Sequence, residues 1–166
     1  MRVVLVDPKR CLGCRSCELA CAVAHSKAGE LLATVLAGER PRKRIYVEPT
    51  ERQAVPVVCR HCEKAPCLTV CPTGAISRKG PGEPVLIDLS LCIGCRSCYL
   101  VCPFGVIEFV PELGTAIKCD LCHPRAKPAC VEACPTGALS FEEPEAVVKV
   151  RRRETARDLT EVVSSN

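Results

Sequence analysis

The chain is poor in the residues that usually fill a protein core. Among its 166 residues there is no tryptophan, and there are only two tyrosines (Tyr46, Tyr99) and three phenylalanines (Phe104, Phe109, Phe141). A chain of this length suits one compact domain, or two very small ones sharing a core. With so few large apolar groups, short loop-rich pieces need a covalent or metal staple. No run of about 18 uncharged apolar residues occurs, so no membrane insertion is expected. The opening stretch Met1-Arg2-Val3-Val4-Leu5-Val6-Asp7 meets an acid, then a proline, too early for a signal peptide, which points to the cytoplasm. Also missing are a GxGxxG nucleotide loop, a credible nucleophile triad and a substrate-pocket signature, so no catalytic residue is assigned.

Cysteine is in excess. The sixteen cysteines fall into four quartets: Cys11, Cys14, Cys17, Cys21; Cys59, Cys62, Cys67, Cys71; Cys92, Cys95, Cys98, Cys102; and Cys119, Cys122, Cys130, Cys134. In a reducing compartment such groups read as metal or redox sites rather than disulfides. The first and third quartets have the spacing C-x2-C-x2-C-x3-C, and three of the four end in Cys-Pro, at Pro72, Pro103 and Pro135. That run binds 4Fe–4S clusters, its fourth cysteine serving a neighbouring cluster. Two-residue gaps wrap a loop around a cube. The three-residue gap is a helical i, i+4 step, placing Cys17 and Cys21 on one face about 5–6 Å apart at Cβ. A zinc-scaffolded interaction module also uses C-x2-C pairs, but zinc does not account for the third and fourth cysteines or the trailing prolines. Four complete quartets imply four 4Fe–4S clusters, and loading them moves the net charge from +4 to roughly −4, which weakens any nucleic-acid reading.

The quartets repeat in the order A, B, A′, B′. Residues 6–21 laid over 87–102 give nine identities in sixteen positions, and 59–76 resembles 119–139 apart from a longer gap. Short strands are predicted at Val3–Val6, Ala75–Ser77, Val85–Ile87, Val106–Val110, Thr115–Ile117 and Ala138–Phe141, with turns at 80–82 and 112–114. Helices are single turns to short segments following each third cysteine. A strand pair joins the second quartet to the third. The strand after the fourth quartet lacks a following partner, and Arg2–Val6, which leads into Cys11 as Val85–Ile87 leads into Cys92, offers itself. The competing arrangement pairs the third quartet with the fourth through the 105–118 hairpin.

The segments CRHCEKAPCLTVCPTGAI and CIGCRSCYLVCPFGVI, with the opening DPKRCLGCRSCELACAVAHSK, resemble the four-cluster ferredoxin-like electron-transfer subunits over about residues 3–142. These subunits accompany molybdenum or tungsten oxidoreductases, hydrogenases and carbon monoxide dehydrogenases. The likeness is greatest to the iron–sulfur subunit of carbon monoxide dehydrogenase and its formate dehydrogenase and aldehyde oxidoreductase relatives. It implies an α+β fold of two bacterial-ferredoxin-like modules, the inner inserted in an outer one split in sequence. The outer module is 1–58 with 103–142, carrying an insertion at 22–58; the inner is 59–102; and 143–166 is a tail. It also implies the ligand sets. One cluster takes Cys11, Cys14, Cys17 and Cys134; another takes Cys21, Cys119, Cys122 and Cys130. The inner pair takes Cys59, Cys62, Cys67 with Cys102, and Cys92, Cys95, Cys98 with Cys71. Partners implied are a catalytic oxidoreductase subunit and an electron donor or acceptor protein in anaerobic metabolism. The alternative is a freestanding polyferredoxin. Two departures from the family are Ala22, where a proline is usual, and the lack of a C-terminal membrane helix.

Other residues carry weaker signals. His61 sits between two cysteines and is placed to hydrogen-bond a cluster or to serve the structure alone, whereas His25 and His123 read as packing or solvated residues. Tyr99 and Phe104 are expected to shield a cluster from water. The basic run Arg40-Pro41-Arg42-Lys43-Arg44 reads as a solvated face or a dock for an acidic partner, followed by a strand at Ile45–Val47. A short helix from Thr155, with Leu159, Val162 and Val163 on one side, is a candidate docking element.

Overall fold

Strand formation is limited to short ribbons, because loops around cysteines break every apolar run. The computed structural model describes the backbone of residues 1–164, and the side chains of these apart from 158 and 161–164. Among the described residues four separate two-stranded antiparallel ribbons form. They are β1 (Val3–Val6) with β8 (Leu139–Glu142), β2 (Ile45–Pro49) with β3 (Ala54–Val58), β4 (Ile76–Ser77) with β5 (Leu86–Ile87), and β6 (Glu108–Val110) with β7 (Thr115–Ile117). Among the described residues six α-helices accompany them, α1 (Ser16–Ala24), α2 (Leu31–Leu36), α3 (Pro66–Thr69), α4 (Ser97–Val101), α5 (Ala129–Glu132) and α6 (Pro144–Ser164), with a 3-10 turn at Pro8–Arg10. This is a small α+β fold of ferredoxin-like modules.

The sequence repeat has a structural counterpart. β1 pairs with β8 in the register Val4–Phe141 and Val6–Leu139, while β4 pairs with β5 through Ile76–Ile87. Just past each ribbon the same bond recurs: Asp7 N–H donates to Ala138 O, and Asp88 N–H to Ala75 O, both at 2.8 Å. Each Cys-Pro-x-Gly turn also repeats. Gly74, Gly105 and Gly137 have φ of 69, 61 and 62°, and their N–H groups donate back to Cys71, Cys102 and Cys134. A left-handed residue at this point suits glycine, which lacks the Cβ clash.

Proline sets the helix lengths. A residue before proline is pushed out of the α region, and α3, α4 and α5 all stop before Cys71, Cys102 and Cys134. Ala22 removes that block, so α1 runs through Cys21 for nine residues to Ala24. The extra turn carries His25 back against the cysteines.

Two apolar clusters form the core. Val4, Ile45, Val47, Val58, Leu121, Val131 and Leu139 pack with Cys17, Cys21, Cys59, Cys119 and Cys130. Ala65, Ile76, Val85, Ile107 and Ala116 pack with Cys98, and Cys102 borders both clusters. The side chains are small, so thiols occupy positions that large aromatics would otherwise fill.

The expected strand at 45–47 is present and two further elements were not foreseen, while the start of the terminal helix needs correcting. The lone strand at 45–47 is one arm of the β2–β3 hairpin, which continues past Pro49 and includes Pro56. Residues 31–36 form α2, capped by the Glu30 carboxylate on Leu32 and Ala33 N–H. The terminal helix begins at Pro144, not at Thr155, since proline suits a first helical position and Glu145 favours the positive end of the helix dipole. Leu159 is exposed on it; the side chains of Val162 and Val163 lie outside the described ones. No described helix is long and apolar enough to cross a membrane.

Candidate metal centres

The loop that opens each quartet is built by left-handed backbone. The residue before the second cysteine is Gly13, His61, Gly94 or Leu121, with φ of 67, 47, 66 and 60°. In this conformation the peptide N–H turns toward the first thiol. Gly13 N lies 3.4 Å from Cys11 Sγ, His61 N 3.5 Å from Cys59 Sγ, and Leu121 N 3.4 Å from Cys119 Sγ. Two non-glycine residues accept the strain, roughly 1–2 kcal/mol each. Metal-bound thiolate sulfur accepts such N–H donors, so these loops suit a metal site.

The fold gathers the cysteines across quartets. One cavity is lined by Cys11, Cys14, Cys17 and Cys134. A second is lined by Cys59, Cys62, Cys67 and Cys102, and a third by Cys71, Cys92, Cys95 and Cys98. Of the remaining four, Cys21 on α1 and Cys130 on α5 lie on helices that pack against each other, and both share a core cluster with Cys119. There burial pushes the Cys130 thiol up, and the charges of Cys119, Cys21 and Cys122 push it further.

Depth differs among these groups. Burial raises Cys17 and Cys98 to about 11 and Cys119 to about 12. Cys14 and Cys95 are the two exposed cysteines. Ser16 lowers Cys14, and Ser97 lowers Cys95, each serine being the first residue of its helix. Thiols of different groups also influence one another. The charge of Cys17 reaches Cys130, that of Cys59 reaches Cys119, and that of Cys67 reaches Cys98. Thiols that are costly to ionise alone become thiolates once a cation binds them, so a set of four around a cationic core fits this donor chemistry.

The polar residues near the thiols are more ordered than the sequence suggested. His61 is 2% exposed, and its Nδ1 accepts the Val85 N–H at 3.2 Å. The proton therefore sits on Nε2, a buried atom with no partner among the described residues. Burial, and next the Lys118 charge, press its pKa down to about 3, so the ring stays neutral. His25 is the opposite case. Burial works against its charge, but hydrogen bonds to Asp120 and Cys21 prevail and push it up to about 9. Its Nε2 donates to Asp120 at 3.1 Å and its Nδ1 to Cys21 O at 2.7 Å. His123 is exposed. Phe104 lines the Cys59 cavity, whereas Tyr99 is half exposed and lines none of the three cavities.

The basic run is not a free docking face. Arg42 bridges Glu108 and Glu112, Lys43 bonds Glu18, and Arg44 pairs with Asp120. These ties fasten the segment entering β2 to α1 through Glu18, to the β6–β7 hairpin through Glu108 and Glu112, and to Asp120, acids that the sequence keeps far from it. Glu18, Lys118 and Asp120 carry no spacing signal and are found only from the packing. The one clue was that each adjoins a cysteine.

Comparison with known families agrees with this chemistry. Residues 50–144 match the model of a 4Fe-4S dicluster domain, and residues 8–24 that of a 4Fe-4S binding domain. The chain is 44% identical over 156 residues to the putative electron transport protein YsaA of Escherichia coli, covering 92% of this chain and 97% of that one. It is 39% identical to an iron-sulfur protein of Rhodospirillum rubrum, over 95% of this chain and 90% of that one. The thiosulfate reductase electron transfer subunit PhsB of Salmonella typhi is 43% identical, over 84% of this chain and 74% of its own length.

Proposed function

The chain belongs to the ferredoxin-like 4Fe-4S dicluster family of electron-transport proteins, and from that premise we propose that it holds four 4Fe–4S clusters and relays electrons for a catalytic oxidoreductase subunit. The four ligand sets are Cys11, Cys14, Cys17 with Cys134; Cys119, Cys122, Cys130 with Cys21; Cys59, Cys62, Cys67 with Cys102; and Cys92, Cys95, Cys98 with Cys71. The observation that carries the reading is the lining of the cavities: each of three is walled by four cysteines drawn from two different quartets. Bound clusters supply one-electron chemistry. The chain supplies thiolates, N–H donors to sulfur and a dry surround.

The order of the groups supports a relay. The thiols influence one another from the Cys11 set to the Cys119 set, then to the Cys59 set, then to the Cys92 set. The exposed cysteines, Cys14 and Cys95, belong to the two ends of that order. Electrons enter at one and leave at the other. The middle sets are wrapped by the apolar clusters, which keeps water from them. On this reading residues 1–58 and 103–142 form one module, 59–102 the other, and 143–166 a tail. A second redox protein completes the circuit. The chain carries out no substrate reaction itself, in keeping with the electron-transfer role that PhsB's name gives that relative. None of the sixteen cysteines is taken up in a disulfide, which suits a reducing cytoplasm.

Iron and sulfide analysis of anaerobically purified protein tests the count. About sixteen of each per chain are expected from four cubes. Eight irons, or zinc in their place, overturns it. Recovery of the native protein free of any catalytic subunit favours a polyferredoxin that moves between enzymes.

A further inference from the structure

Lys118 is a buried cation without an anion. Its side chain is 4% exposed, at the end of β7. Its ammonium donates to two backbone carbonyls, Val85 O and, at 3.0 Å, Cys119 O. No carboxylate lies within ion-pair reach of it among the described residues, whereas Arg42, Lys43 and Arg44 each have one. An unpaired buried charge is strongly unfavourable, and carbonyl dipoles offset only part of the cost. The missing counter-charge has to come from what Lys118 faces.

Lys118 faces the cysteines. It lines the cavity of Cys59, Cys62, Cys67 and Cys102, and it directly precedes Cys119 of the neighbouring set. Its field is the largest electrostatic influence on Cys67 after burial, and a smaller one on Cys119. Four thiolates around an oxidised core leave a net negative charge, which one-electron reduction deepens. A fixed positive charge at the wall favours the reduced state.

We propose that Lys118 is the built-in counter-charge of the Cys59–Cys62–Cys67–Cys102 site and makes that site more readily reduced than it would otherwise be. The proposal rests on the cluster-binding reading above. Lys118 is a positioning residue for charge, not a ligand. It works with the Val85 peptide, whose C=O holds the ammonium and whose N–H holds His61 on the same cavity wall.

The test is a potentiometric titration of the full chain, followed by electron paramagnetic resonance. It compares the parent with Lys118→Met, Lys118→Gln and Lys118→Arg, each first assayed for iron and sulfide. The parent's iron content alone decides the cluster reading, so the two ideas fail separately. With iron unchanged, the neutral variants should move one midpoint negative by at least a tenfold change in the reduced-to-oxidised ratio, about 59 mV for one electron. Lys118→Arg should stay near the parent. The proposal is overturned if neither neutral variant shifts a midpoint, or if Lys118→Arg shifts it as far as they do. It is overturned too if both neutral variants lose iron, since the lysine then holds the site together rather than setting its potential.

Discussion

The carboxylate of Glu18 accepts the backbone N–H of Val47 at 2.7 Å, joining α1 to β2 across 29 positions of sequence. The same oxygen takes Lys43 Nζ at 2.6 Å. Lys43 and the Val47 N–H, with Arg15, keep the Glu18 carboxyl below its usual range in spite of its burial. Replacing Glu18 with Ala leaves a buried N–H without an acceptor, at a cost of about 1–3 kcal/mol. The denaturant midpoint, followed by loss of visible absorption under anaerobic conditions, should fall. Glu18→Gln, which keeps one acceptor oxygen, should lose less.

Depth should decide what a cysteine substitution does. Cys14 is exposed and Cys130 is 4% exposed. Cys14→Ala is expected to lose about a quarter of the bound iron, one cube of four, with far-ultraviolet circular dichroism unchanged. Cys130→Ala removes a ligand and core packing together, so both the iron content and the unfolding midpoint should drop. Equal behaviour of the two variants would count against the assigned depths.

Gly94 is fixed by its neighbour as well as by its φ. A Cβ added there would stand 2.2 Å from Gly114 O in the β6–β7 turn. Gly94→Ala should cost roughly 2–5 kcal/mol, combining left-handed strain with displacement of that turn. Gly74 has the same φ sign but open space around it. Gly74→Ala should therefore cost only about 1–2 kcal/mol. Denaturation of the two variants side by side measures the difference.

The C-terminal helix α6 gives the opposite expectation. Apart from Pro144 and Val147, the described residues of α6 are exposed. Removing residues 151–166 should leave iron content and unfolding midpoint at the parent values. Binding to a co-purified catalytic subunit, measured by anaerobic pull-down, should weaken. Loss of iron on truncation would show that α6 belongs to the fold.

What the sequence disclosed was whatever repeats or bonds locally. The β1–β8 pairing is legible because Val3–Val6 leads into Cys11 as Val85–Ile87 leads into Cys92, and the β6–β7 hairpin because Glu112-Leu113-Gly114 marks a turn. Strand ends were less so: the β4–β5 ribbon is only Ile76–Ser77 with Leu86–Ile87. β3 was hidden by Pro56, which argues against a strand until the hairpin is seen to lie over α1. Arg44 with Asp120, and Lys118 with Val85, are long-range pairs that no local pattern encodes. The same holds for His25, whose contact with Asp120 depends on α1 continuing past Ala22.

The pairing of β1 with β8 also has a consequence in time. The first strand emerges from the ribosome almost a whole chain before its partner, and at about 5–20 residues per second it waits on the order of ten seconds or more. Through that interval Val4, which ends with no exposed surface at all, is bare, and the edge of β1 is open to wrong pairing. The β4–β5 ribbon, whose strands lie close in sequence, closes much sooner. Nascent chains should therefore mature from the middle outward, with the two ends joining last.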